Sequence, residues 1–458
     1  MEKRNEITEG VIWKQLLVFF FPILLGTFFQ QLYNTADAVI VGRFVGKEAL
    51  AAVGGSTATI ISLLINLFVG ISSGAGVVIA QFYGAKQEGE VKKAVHTSVA
   101  LSLVCGVIMT VLGIGMASWM LRLIATPEDI IKDSALYLKV YFAGSIGLVL
   151  YNIGAGILRA VGDTKRPLIF LVISCLVNIV LDLLFIAGLG MGVFGAALAT
   201  ILSQFISAVL VMAALLRSRD SYRLIPKDLS MDKGMLVRVL RIGIPAGLQS
   251  NMYTISNLLV QSRVNSFGTD TVAAWTAQSK IDGFYWMIIG AFGIAITTFS
   301  SQNFGAARYD RIRRSVKVCM GMAAGVSLAI GVVYSIWARP LLSLFTDDAA
   351  VLDEGVQLMR AIAPFYITYV SIEILSGAIR GTGDSLAPML LTCTGVCVLR
   401  IIWVLVMLPI HRSHLTVAAG YPVTWIVTSI LFIIYYRRGG WLRREIARER
   451  AAGGERKE

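Results

Sequence analysis

The sequence predicts an all-α integral membrane fold: twelve transmembrane helices in two six-helix lobes, related by a pseudo-two-fold axis along the membrane normal. Three observations carry that expectation. Of 458 residues, 56% are hydrophobic and only 15% charged, with a mean hydropathy of +0.73, a balance that suits lipid rather than water. Long apolar stretches recur along the whole chain, each able to cross a hydrocarbon core of ~30 Å at ~1.5 Å per residue. The chain also repeats itself: Gln81-x-x-Gly84-Ala85 returns as Gln302-x-x-Gly305-Ala306, and Arg159-x-x-Gly162-Asp163-x-x-x-Pro167 returns as Arg380-x-x-Gly383-Asp384-x-x-x-Pro388, both at an offset of 221 residues.

The expected spans follow in order. The first half holds 15–41, 54–83, 95–119, 135–157, 167–188 and 192–216. The first of these follows a charged start, but it is long and no small-residue cleavage site succeeds it, so it reads as an uncleaved span. Between the fifth and sixth, Gly190-Met-Gly192-Val-Phe-Gly195 spells GxGxxG; without a preceding strand or a following acid it is a tight outer turn, not a dinucleotide site. The second half holds 237–262, 275–303, 316–338, 355–378, 388–410 and 415–436. Six spans return the chain to its starting side, so the halves lie parallel. The resulting domains are a lobe over 1–216, a cytoplasmic linker over 217–236, a second lobe over 237–436 and a charged tail over 437–458, either a surface helix or disordered.

Positive charge tests this topology independently, because Lys and Arg in short loops stay on the cytoplasmic side. With the N-terminus inside, 30 of the 41 Lys and Arg fall on the inner face, so both termini are expected to be cytoplasmic. The net charge of +13 then reflects topology and attraction to anionic lipid headgroups. The basic residues are scattered without an aromatic platform, which argues against nucleic-acid binding.

Enzyme-like signals are weak. The five cysteines, Cys105, Cys175, Cys319, Cys393 and Cys397, all lie in apolar runs and read as buried thiols. His411-x-x-His414 lacks a third ligand nearby. No GxSxG, HExxH or Walker-type pattern occurs, so no enzyme and no cofactor is expected.

What remains is a small set of polar residues inside the spans, where a charge costs at least ~2.5–3.5 kcal/mol. Asp37 follows Tyr33 by four residues and Asn34 by three, and Gln30 precedes Asn34 by four, so these share one helix face. Asn178 precedes Asp182 by four, stacking an amide on a carboxylate. Asp182 lies roughly 22 Å along its span from Pro167, a depth similar to that of Asp37. Two acids in one bundle can share a site and do one of two jobs: hold and release a proton, or, with Asn178, Tyr33 and Thr200, offer the oxygens a hard cation such as Na+ prefers. The alternative is that each acid is solvated or tied down locally.

These motifs resemble the multidrug and toxic compound extrusion transporters, in particular their DinF-like prokaryotic branch. The resemblance spans the chain: Pro22 through Gln31-Leu-Tyr-Asn34-x-x-Asp37-x-x-x-Val-Gly42-Arg43, the two repeated motifs, Asn178-x-x-x-Asp182 and Gly195-Ala-Ala-x-Ala199-Thr200. It implies cation-driven antiport, by H+ or Na+, of organic and often cationic, amphipathic compounds through rocking lobes. The implied cation network is Tyr33, Asp37, Asn178, Asp182 and Thr200, with Na+ at Asp37, Asn178 and Asp182 as the one metal to consider. Gln30, Asn34, Gln249, Asn251, Tyr253, Met287 and Glu373 are the candidate substrate contacts. The seventh span carries none of the acid found in other branches. Glu373 is either a substrate counter-ion or the ion-pair partner of Arg400, and Asp282, two residues after Lys280, reads as a local interfacial pair. The expected setting is a monomer in a bacterial inner membrane, with small organic substrates and the bilayer as partners. A lipid-linked saccharide flippase is the alternative.

Overall fold

The computed structural model describes residues 6–124 and 126–454, and among these there are helices and turns but no strand. The first five residues and the last four of the charged tail lie outside the described residues. Every expected span is helical. In the first half these are α1 Ile12–Phe44, α2 Lys47–Gly84, α3 Glu88–Leu123, α4 Ile131–Ala143 with Ser145–Ala160, α5 Lys165–Gly188 and α6 Gly192–Arg217. In the second they are α7 Lys233–Val264, α8 Thr269–Gly305, α9 Tyr309–Ile336, α10 Ala349–Gly381, α11 Leu386–Ile410 and α12 His414–Arg438.

Ten of these are long and apolar enough to span on their own, and α4 joins them as a pair bent by 50°. The twelfth, α7, has 32 residues, about 48 Å at ~1.5 Å per residue. It is long enough, but Arg238, Arg241, Gln249 and Asn251 lower its hydropathy. The protein is therefore a multi-pass membrane protein.

The repeat has a backbone cause. Gly162 and Gly383 stand at φ 96° and 107°, a region open to glycine and strained for residues with a Cβ. Each closes its helix by donating to the Arg carbonyl three residues back, at 3.0 Å (Gly162 to Arg159) and 2.9 Å (Gly383 to Arg380). The Asp that follows then accepts from the backbone N–H three residues on, Arg166 and Ala387, both at 3.1 Å, and starts the next helix. The Gln-x-x-Gly-Ala motifs likewise end α2 and α8. Ala85 N–H donates to Gln81 O at 2.9 Å and Ala306 N–H to Gln302 O at 3.0 Å, and the next residues, Lys86 and Ala307, turn to φ 56° and 53°. The duplicated letters are the helix stops and starts.

By contacts the chain forms two compact units, one of residues 21–247 and one of residues up to Phe20 with everything from Leu248 on. The lobe limits read from sequence ran through the linker, whereas this division falls inside α1 and α7. Backbone contact in the 21–247 unit explains the cut in α7. A Cβ on Gly70 would lie 2.3 Å from Gly247 N, and one on Gly74 would lie 2.4 Å from Val239 O. Two small-xxx-small faces, Gly70 with Gly74 and Gly243 with Gly247, thus bring the start of α7 onto α2 without side chains between them.

The linker belongs to the same unit and is held there. His96 Nε2 lies 3.1 Å from Ile225 N, Thr97 Oγ1 accepts from Asp232 N at 3.1 Å, and Lys92 Nζ pairs with Asp228 at 2.7 Å.

The second unit has an aromatic interior. Phe20 stacks on Phe292 at 4.2 Å, Tyr285 on Tyr366 at 4.1 Å, and Trp425 packs against Trp286, Tyr366, Tyr369 and Tyr421. The tail, left open between helix and disorder, forms a helix over Gly440–Gly454, α13. Gly439 at φ 67° allows the break from α12, and buried Trp441 stacks on Tyr436 at 5.2 Å.

Candidate cation and substrate sites

In the 21–247 unit the helices α1, α5 and α6 bring the five expected cation residues into one neighbourhood. Asp37 is 7% exposed, Asn178 and Asp182 0%, and Thr200 1%; Tyr33 is half-buried. The Asp37 and Asp182 carboxyls are close enough to interact directly, and Tyr33 feels both. Thr200 Oγ1 donates back to Ala196 O at 3.0 Å. Asp182 ends the α-helical part of α5, and Leu183–Gly188 continues as a π-helix. Such widened turns break the regular ladder and recur at functional positions.

Three further side chains complete the cluster. Tyr137 and Tyr141 of α4 stack at 6.1 Å; Tyr137 adjoins Asp37 and Thr200, while Tyr141 and Tyr33 both adjoin Gln204 of α6. A signal for them existed in the sequence, since Tyr137 with Tyr141 and Thr200 with Gln204 are spaced by four, as are Tyr33 with Asp37 and Asn178 with Asp182. Four helices each present a pair one turn apart. What could not be read was which helices meet.

The polar atoms here are unusually bare. Asp37 Oδ1, both Asp182 oxygens and both amide atoms of Asn178 are buried without a hydrogen-bond partner in the protein. Buried polar groups are normally paired. A site with this donor set can hold a proton or a small hard cation; among the described residues no group of three or more His, Cys, Asp or Glu is gathered as a transition-metal site would require.

The candidate substrate contacts divide between the units. Gln30 and Asn34 are exposed on α1 of the 21–247 unit. In the second unit Gln249 is tied on both sides, donating to Thr392 Oγ1 at 3.1 Å and accepting from Arg380 Nη2 at 2.9 Å. Asn251 and Met287 are half-buried. Tyr253 OH meets Tyr369 OH at 3.0 Å. Glu373 of α10 lies across Gly293 of α8, where an added Cβ would meet its Oε1 at 2.1 Å, and its neighbours are Arg380 and Tyr369.

Two sequence readings change here. Arg400 makes no ion pair with Glu373; its Nη1 reaches Asn257 Oδ1 at 3.3 Å, its Nη2 reaches Thr424 Oγ1 at 3.5 Å, and its guanidinium covers the Tyr421 ring at 3.9 Å. Asp282 is not a surface partner of Lys280. Residues two apart on a helix point to different sides, and Asp282 turns inward, 8% exposed, accepting from Gln278 Nε2 at 2.6 Å and from the Tyr366 hydroxyl. It lines a cavity of about 480 Å³ in the second unit.

A multi-pass helical protein built from two repeats, with bare polar groups buried among its spans, has the organisation of a secondary transporter. Residues 22–184 and again 245–406 match the MatE family model, and the chain belongs to this family, the multidrug and toxic compound extrusion (MATE) transporters. It is a transporter, not an enzyme. Its relatives include the probable multidrug resistance protein YoeA of Bacillus subtilis, 30% identical over 95% of this chain and 96% of that one. The probable multidrug resistance protein NorM of Thermotoga maritima is 27% identical over 98% of this chain and 97% of that one. Among solved structures, an outward-facing multidrug resistance MATE transporter is 26% identical, with a TM-score of 0.90, over 97% of this chain and 99% of that one.

Proposed function

We propose that this protein exports structurally varied organic compounds, often cationic and amphipathic, by antiport against H+ or Na+. The observation that carries the coupling step is the convergence of Asp37 and Asp182 with Asn178, five of whose side-chain atoms are buried without partners. Two neighbouring carboxylates in a low-dielectric bundle are costly to keep charged together, and a bound cation relieves that cost. A cation shifts a transporter only by binding one conformation better than another; tightening of α1, α5 and α6 around it supplies such a difference. Pro22 in α1 and Pro245 in α7 each remove a backbone hydrogen bond within two residues of the position where the helix passes from one unit to the other. Bending there would carry the change along the helix. The names of the relatives support efflux of drugs over flipping of lipid-linked saccharides.

The expected setting is a monomer in a bacterial cytoplasmic membrane with both chain ends inside. Reconstitution in proteoliposomes under separately imposed pH and Na+ gradients, followed with a fluorescent cationic dye, tests the proposal. Dye movement should respond to one gradient and stop responding in Asp37→Asn. Equal gradient-driven efflux by that variant would remove the coupling role.

A further inference from the structure

The cavity of the second unit is built differently from the cluster around Asp37. Its walls include Trp275, Trp286, Trp425 and Tyr421, with Arg400 and Asp282 as its charged members. Arg400 sits well inside α11, two residues after a second π-helical segment, Cys393–Val398, and is 2% exposed. A guanidinium at such a place is expensive unless it is paired. Yet among the described residues no carboxylate lies within ion-pair reach of it, its two hydrogen bonds of 3.3 and 3.5 Å are longer than good ones, and its Nε has no partner. The carboxylate in the same cavity is better served, since each Asp282 oxygen already accepts a hydrogen bond. The unmet capacity is therefore that of a cationic donor. It asks for an anion.

We infer that this cavity is a binding site for a planar aromatic monoanion, with the anionic group on Arg400 and the ring among Trp275, Trp286 and Trp425. The volume of about 480 Å³ falls in the range of small-molecule sites, and the flat faces of three tryptophans suit an aromatic ring. Asp282 sets the charge limit: a second negative group on the ligand would be repelled by it. This site lies in the other unit from Asp37 and Asp182 and does not depend on their coupling role.

The test is equilibrium dialysis of the full-length protein in lipid nanodiscs, with empty nanodiscs as the blank. The probes are 2-naphthoate, 2-naphthylmethylammonium and naphthalene-2,6-dicarboxylate. Wild type should bind the monocarboxylate at least tenfold more tightly than either other probe. Arg400→Gln should lose at least tenfold in affinity for 2-naphthoate, Arg400→Lys should lose less, and Asp282→Asn should gain affinity for the dicarboxylate. Binding is read at equilibrium with no ion gradient imposed, so that failure of efflux coupling and failure of this site are told apart. Equal or tighter binding of the ammonium probe by wild type would overturn the inference without recourse to any variant. So would unaltered naphthoate binding by folded Arg400→Gln, which would make Arg400 only a brace joining α11 to α7 and α12.

Discussion

Replacing Asp182 by Asn separates a coupling residue from a structural one. Asp182 is 0% exposed, both its oxygens lack hydrogen-bond partners, and its nearest titratable neighbour is another carboxylate. If those oxygens held the bundle together, the amide would cost several kcal/mol, as breaking a buried polar network does. With no hydrogen bond to another helix backbone or to a basic side chain to break, the change instead relieves the close approach of two buried carboxyls, offset by ~1–3 kcal/mol for the amide atoms still lacking partners. The expected outcome is an unfolding temperature in detergent equal to or above that of wild type. Transport should behave oppositely. Each pH unit supplies ~1.4 kcal/mol per coupled proton, so a one-proton exchange holds about a tenfold dye gradient and a two-proton exchange about a hundredfold, whereas Asp182→Asn should hold none. The assay is the steady-state dye ratio in proteoliposomes, beside a thermal scan of the same preparation. A marked loss of stability would make Asp182 a structural residue, and a dye gradient matching wild type would remove it from coupling.

Two further outcomes follow from the packing and from the linker. Gly70→Ala places a Cβ 2.3 Å from Gly247 N and should cost ~1–3 kcal/mol as overpacking, whereas Gly321→Ala, with nothing within 4 Å, should gain up to ~1 kcal/mol of helix propensity; thermal unfolding in detergent ranks the two. At the linker, the hydrogen bond and charge of Lys92 hold the Asp228 carboxyl below its ordinary range. Because the folded value is the lower one, the stabilisation is present above the unfolded value of ~3.9 and is lost as pH falls through the folded one. Asp228→Asn should therefore slightly loosen residues 217–236 in hydrogen-exchange measurements at neutral pH, with the difference from wild type shrinking in acid and at high salt. A difference that persisted in acid would point away from the ion pair.

The expected spans were legible because lipid imposes a simple rule: backbone polar groups must be satisfied within a helix, and the helix must be long and apolar. The repeat was legible for a related reason. Gly162 with Asp163 and Gly383 with Asp384 are demanded by local turn geometry, and local geometry is written in adjacent letters. The Tyr33–Asp37 and Asn178–Asp182 pairs were also local, one turn apart on single helices. Tyr137, Tyr141 and Gln204 carry the same four-residue spacing but no buried charge to single them out; they matter through the helices that face them.

Asp282 and Arg400 show the limit most clearly. Sequence proximity assigned Asp282 to Lys280, but helix phase turned it inward to Gln278 and Tyr366. Charge complementarity offered Arg400 to Glu373, but the structure seats Glu373 near Arg380 and leaves Arg400 over Tyr421. The place of the division inside α7 likewise rests on glycines from separate helices meeting backbone to backbone. By itself the sequence determined the solvent, the spans, the duplication and the two acids, since each follows from composition or from spacing along one helix. Which buried charges are partnered and which are bare was set by the tertiary structure, because that depends on which helices face one another and in what rotation.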